Sequence, residues 1–153
     1  MGKASQHPAA APEDPAMSDP ATVERNVAKV REFIDAWGAI DCDAAMACLS
    51  DDIEYINLPL DPVVGQTDVR KIVDGIMKLS KKVHWELINI FGDGNVVTTE
   101  RLDHWDFDGN GWGLKLPCIG MFDLNADGKI CGWRDYFDNR MWFENGGPTL
   151  HLD

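Results

Sequence analysis

Arg101 and Asp103 stand two residues apart in a run of period-two hydrophobicity, which puts a guanidinium and a carboxylate on one side of one strand. Their side of that strand is Val97, Thr99, Arg101, Asp103, Trp105 and Phe107, so the ion pair is set among apolar groups. The other side, Val96, Thr98, Glu100, Leu102, His104 and Asp106, is more polar and suits solvent or a wet subunit contact. A second carboxylate has the same setting, because Cys131, Trp133, Asp135 and Phe137 alternate along the last strand. In an earlier strand Ile53, Tyr55 and Asn57 bring a phenol and a carboxamide to one side. A buried carboxylate needs hydrogen bonds or a cation, and one arginine between two acids serves both with its five-donor fork. Two acids on one arginine titrate as a coupled set, in which one stays protonated as an acid while the other stays ionised as a base. That division of labour suits addition of water to a strained ring. The spacing equally fits an ordinary cross-strand network that fixes register, with Tyr55 and Asn57 merely ending a strand.

The elements that must position these groups follow from periodicity. Residues 1–22 hold six Ala and four of the eight Pro and show no apolar period, which predicts a flexible extension ahead of a single domain over 23–153. Asp19-Pro20 supplies a cap and a first-turn proline for a helix whose apolar positions are Val23, Val27, Val30, Phe33, Ile34 and Trp37, closed by Gly38. A shorter helix capped by Asp41 or Asp43 runs through Ala44 to Leu49, and an extended stretch covers Ile53 to Leu58. Thr67 or Asp68 caps a third helix, with Val69, Ile72, Val73, Ile76, Met77 and Leu79 as its apolar positions. From Val83 the period changes to two. Gly/Asn/Asp clusters at 92–95, 108–111 and 125–128 read as turns between strands at 83–91, 96–107, 112–124 and 129–137. Pro117 interrupts the third of these strands and predicts an edge or a bulge. A last short helix follows Asp138. Early helices followed by an antiparallel meander describe an α+β domain, a curved sheet wrapped around helices.

Composition removes several functions. A balance of 14 Lys+Arg against 26 Asp+Glu leaves a net charge of −12, and such a field repels nucleic acid. No run approaches the roughly 18 apolar residues of a membrane span, and no secretory signal opens the chain, so the expected location is cytoplasmic. Gln6 stands where a myristoylation signal wants Ser or Thr. Cys42, Cys48, Cys118 and Cys131 form no C-x-x-C pair and His7, His84, His104 and His151 are scattered, which predicts reduced thiols and no metal site. Two turns imitate the start of a calcium loop, but Arg134 and Pro117 occupy the twelfth positions, where a bidentate Glu would close the site.

Three stretches, Tyr55-Ile56-Asn57-Leu58-Pro59-Leu60, Glu100-Arg101-Leu102-Asp103 and Gly132-Trp133-Arg134-Asp135-Tyr136-Phe137-Asp138, resemble limonene-1,2-epoxide hydrolases in identity, order and separation. The resemblance spans roughly Val23 to Trp142. It implies the curved-sheet cone of the nuclear-transport-factor-like superfamily, with a deep apolar pocket, a homodimer and no cofactor. Carried over residue by residue, it makes Asp135 the base that takes a proton from water, with Tyr55 and Asn57 holding that water. Asp103 becomes the acid that protonates the epoxide oxygen, and Arg101 bridges the two carboxylates. Water and a small apolar epoxide, cyclic and limonene-oxide-like, are the implied partners, with no covalent intermediate. The implied pocket lining is Ile34, Trp37, Ile76, Trp85, Trp105, Leu116, Cys118, Phe137, Trp142 and Leu150. This chain departs from the family pattern in a lining richer in tryptophan and in the stretch from Asp61 to Val64.

Two other functions fit the same scaffold. An isomerase or polyketide cyclase would use one Asp as base and a Tyr as oxyanion donor, with no need of an arginine between two acids. A non-catalytic ligand-binding dimer would keep the polar cluster for stability alone.

Overall fold

Alternating burial along the second half of the chain builds one side of the molecule, and the helical stripes of the first half fill it. The computed structural model describes residues 19–58 and 60–149. In chain order the elements are α1 (Pro20–Gly38), α2 (Cys42–Ala47), β1 (Leu49–Asn57), β2 (Val63–Val64), α3 (Gln66–Leu79), β3 (Lys82–Asp93), β4 (Val96–Asp106), β5 (Leu114–Leu124), β6 (Ile130–Tyr136) and α4 (Asn139–Glu144). The strands form one curved six-stranded sheet in the order β2-β1-β6-β5-β4-β3. β1 and β6 are parallel and every other pair is antiparallel, so the sheet is mixed and the fold is α+β as expected.

The inner face of the sheet closes over α1 and α3. Phe33 of α1 is wholly buried and meets Trp37, Trp85, Phe122 and Trp133 edge-on, with centroids between 4.9 and 6.4 Å apart. Edge-to-face packing of this kind adds roughly 0.5–1.5 kcal/mol per pair beyond area burial. Val30, Ile34, Val69 and Val73 complete the helical side of the core. No helix among the described residues is long and apolar enough to cross a membrane.

The structure departs from the expected elements at several points. α1 begins at Pro20, so residues 20–22 are helical and do not belong to the extension, while 1–18 lie outside the described residues. Neither Thr67 nor Asp68 caps α3. Gly65 precedes it, and Gln66 anchors its start by donating from Nε2 to the carbonyls of Met46 and Leu49, tertiary bonds that local capping rules do not contain. Leu79 is half exposed. Gly92 belongs to β3, pairing with Val97, and the turn itself is Gly94-Asn95. β5 runs through Pro117 without a register shift against β4. Pro117 is tolerated because β6 ends at Tyr136, opposite Ile119, and leaves that flank of β5 unpaired. A register shift opposite Asp123–Leu124 reverses the side-chain parity of β6, so Ile130 enters the core and the half-buried Cys131 does not share the face of Trp133 and Asp135. Asp106, expected on the polar side, is buried and accepts from the amides of Gly109 and Gly111 in the β4–β5 turn.

Candidate active site

The alternation along β4 holds from Val97 to Trp105, and it turns Val97, Thr99, Arg101, Asp103 and Trp105 inward. Arg101 is 1% exposed and is the centre of the polar cluster. Its Nε donates to Asp103 Oδ1 at 3.0 Å and its Nη2 to Asp103 Oδ2 at 3.1 Å, a bidentate pair. The same Nη2 lies 3.1 Å from Asp135 Oδ1 and 3.2 Å from Cys118 Sγ, and Nη1 donates to Thr99 Oγ1 at 3.2 Å. Beneath it the Trp85 ring lies 4.3 Å from the guanidinium carbon, a cation–π contact of about 2 kcal/mol at a desolvated site. The two carboxylates, 3% and 5% exposed, therefore share one nitrogen of one arginine.

Electrostatics sets Asp103 apart from an ordinary aspartate. Burial raises the Asp103 carboxyl from 3.8 to about 6, against the opposing pull of the Arg101 charge. Burial alone would weaken the Arg101 cation, but the charges of Asp135 and Asp103 outweigh it and the guanidinium stays firmly protonated. Burial, with the neighbouring Asp135 charge, pushes the Tyr55 phenol far above its ordinary value. Burial and Asp135 also push the Cys118 thiol up, which keeps it protonated and unreactive.

Register sets the remaining polar groups. In β1, Asn57 pairs with Asp135 and Tyr55 with Trp133, on whose ring the phenol stacks at 3.9 Å between centroids. Asn57 Oδ1 is buried without a hydrogen-bond partner among the described residues. Tyr55, Asn57, Asp103 and Asp135 all line a cavity of about 300 Å³. Of the ten residues expected to line it, Trp37, Ile76, Trp85, Trp105, Leu116, Cys118, Phe137 and Trp142 do so. Ile34 does not: it is buried in the core, on the side of α1 that packs against protein. Leu150 lies outside the described residues. The expected set omitted Trp133, Ile72, Leu60, Asp61, Val63, Asn139, Phe143, Pro148 and Thr149. Trp133 was visible in the sequence beside Asp135 on the same face, whereas the others, apart from Ile72 of α3, come from short elements, β2 and α4, and the loops beside them, too short for a period to be read.

Among the described residues no group of three or more His, Cys, Asp or Glu is arranged to hold a metal ion. Arg134, adjacent to Asp135 in sequence, points to the other side of β6 and pairs with Asp123.

What these groups can do is proton chemistry in a cavity walled largely by aromatic side chains. One acid keeps its proton up to about pH 6, a second acid sits on the same cation, and an amide oxygen and a phenol stand beside the second. Comparison with known proteins points the same way. Residues 30–133 match the SnoaL-like domain. Over 112 residues the chain is 30% identical to the epoxide hydrolase EphG of Mycobacterium tuberculosis (strain ATCC 25618 / H37Rv), covering 71% of this chain and 70% of that protein. The solved structure of an M. tuberculosis LEH-like epoxide hydrolase superposes with a TM-score of 0.64 at 28% identity, covering 80% of this chain and 90% of that one. An NTF2-like protein of unknown function from Burkholderia pseudomallei K96243 superposes with a TM-score of 0.70, covering 79% and 96%, and at 15% identity it speaks to the fold alone.

Proposed function

This chain belongs to the SnoaL-like domain family, and within it we propose an epoxide hydrolase that adds water to a neutral, apolar, cyclic epoxide in one step. The observation that carries the reading is Arg101 Nη2 at 3.1 Å from both Asp103 and Asp135, two carboxylates that line an aromatic cavity while the arginine lies behind its wall. Asp135 takes a proton from water, held by Tyr55 and Asn57, as the water oxygen bonds to a ring carbon. The C–O bond of the epoxide breaks in the same step, and its electron pair takes the proton of Asp103. The diol leaves with Asp135 protonated and Asp103 ionised, and one proton passes back between them to reset the site. Both ends need this help, because an alkoxide is a poor leaving group and neutral water a poor nucleophile, and each proton transfer contributes roughly 10²- to 10⁴-fold. A cyclase-like use of one Asp would leave the shared cation without a purpose.

Two finer points belong to the same reading. The outer face of the sheet exposes Ile88 and Ile119, with Leu102 and Tyr136 half-buried beside them, an apolar patch that supports pairing of two copies. The four cysteines are free, which suits the cytoplasm. The test of the activity is diol formation from limonene-1,2-epoxide or cyclohexene oxide, followed by chiral gas chromatography. Turnover by the wild type, falling at least about 10²-fold in Asp135→Asn, is expected; no diol, or an undiminished rate in the variant, refutes it.

A further inference from the structure

Arg101 belongs to β4 and Asp135 to β6, and β5 runs between them. Neighbouring strands lie about 4.8 Å apart, so the guanidinium must cross the whole width of β5 to reach its second acid. The row it crosses is Thr99 on β4, Gly120 on β5 and Asp135 on β6, directly paired in register. Gly120 lies at the inner face, mid-strand, where a glycine weakens a sheet and marks a close approach by another group. Its φ is not in the left-handed region, so its backbone suits any residue and the constraint is space. A Cβ built there would stand 2.4 Å from Arg101 Nη1, 2.7 Å from Thr99 Oγ1 and 2.9 Å from Phe122 Cε2.

We propose that Gly120 is a positioning residue: its missing side chain is the opening through which Arg101 crosses β5 to hold Asp135. The kinetic consequence rests on the epoxide-hydrolase reading; the geometry does not. A methyl group at 120 displaces Nη1, and the rigid plane of the guanidinium carries Nη2 with it. Nη2 also makes one of the two Asp103 bonds, but Nε keeps the other and the stack on Trp85 remains, so Asp103 stays tethered while the single contact with Asp135 is lost. Asp103 and Asp135 then cease to act on one cation.

The test compares Gly120→Ala with Gly113→Ala, a glycine with nothing within 4 Å of its would-be Cβ. With cyclohexene oxide, kcat of Gly120→Ala falls at least about 100-fold, as for a misplacement of roughly 1 Å, while KM stays within about threefold. Gly113→Ala behaves as the wild type. Adding Thr99→Ala to Gly120→Ala frees room for Nη1 and restores kcat by at least about tenfold. A Gly120→Ala enzyme within about threefold of wild-type kcat, or a loss carried wholly in KM, overturns the proposal. If the wild type hydrolyses no epoxide, the functional reading fails alone. Carboxyl ¹³C titration of Asp135 then decides the geometry, since an unchanged titration in Gly120→Ala overturns it. If Gly120→Ala does not fold, the same substitution is made in Arg101→Ala, where the destabilisation it causes must shrink; an undiminished effect there overturns the proposal.

Discussion

Asp103 makes the stability of this protein depend on pH in a direction opposite to that of an ordinary salt-bridged aspartate, and replacing it by Asn removes that dependence. In the folded chain burial holds the Asp103 carboxyl at about 6, although two nitrogens of Arg101 touch it; the ordinary value is 3.8. Below pH 3.8 folded and unfolded chains both carry the proton and the group favours neither. Between 3.8 and 6 the unfolded chain has lost the proton and the folded chain has kept it, so stability falls as pH rises. Above pH 6 the full penalty is present, about 3 kcal/mol for a gap of this size. Asp103→Asn cannot titrate and escapes the penalty. Urea unfolding of both proteins at pH 4 and pH 7.5 reads it as a difference, in which titrating groups remote from Arg101 cancel. The variant is expected to gain about 2 kcal/mol on the wild type between the two pH values, because at pH 4 the unfolded carboxyl is already partly ionised. A difference that stays constant refutes the reasoning, and one that moves the other way means the arginine outweighs burial and Asp103 is an ordinary ionised partner.

On the proposed reading the same protonation sets the pH dependence of the rate. For the free enzyme kcat/KM falls above about pH 6 as Asp103 loses its proton, by about tenfold per pH unit; a rate that climbs through pH 6 to 8 assigns the acid elsewhere. Arg101→Lys keeps the charge but loses the planar fork that touches both acids, and kcat is expected to fall roughly 10²- to 10³-fold in a steady-state diol assay. Near-normal turnover there favours a cyclase-like use of one aspartate. On the outer sheet face, Ile119→Asp is expected to shift the mass measured by light scattering from dimer to monomer, with the urea midpoint of the isolated chain little changed.

Much of this site was legible before any coordinates, and for one reason. β4 keeps its period of two from Val97 to Trp105, so the inward position of Arg101 and Asp103 followed from counting alone. Asp135 was legible for the same reason, but Cys131 was misassigned because the irregularity before Gly132 reverses parity, and a bulge has no composition signal of its own. Ile34 lies on the buried stripe of α1 as expected, but a helical period says only that a residue is inside, not whether it faces protein or a void. Trp37, one turn on, faces the void. Gly120 was invisible for a different reason: its contribution is an absence, and only the register across three strands shows which side chain needs that room.

Direct attack by water is the claim on which the account turns, and a single turnover in water enriched in ¹⁸O tests it with enzyme in excess over cyclohexene oxide or limonene-1,2-epoxide. Water positioned on Asp135 is predicted to put one ¹⁸O into the first diol molecules formed. First-turnover diol carrying only light oxygen drawn from an enzyme carboxylate would contradict it, because that oxygen can arrive only through a covalent ester.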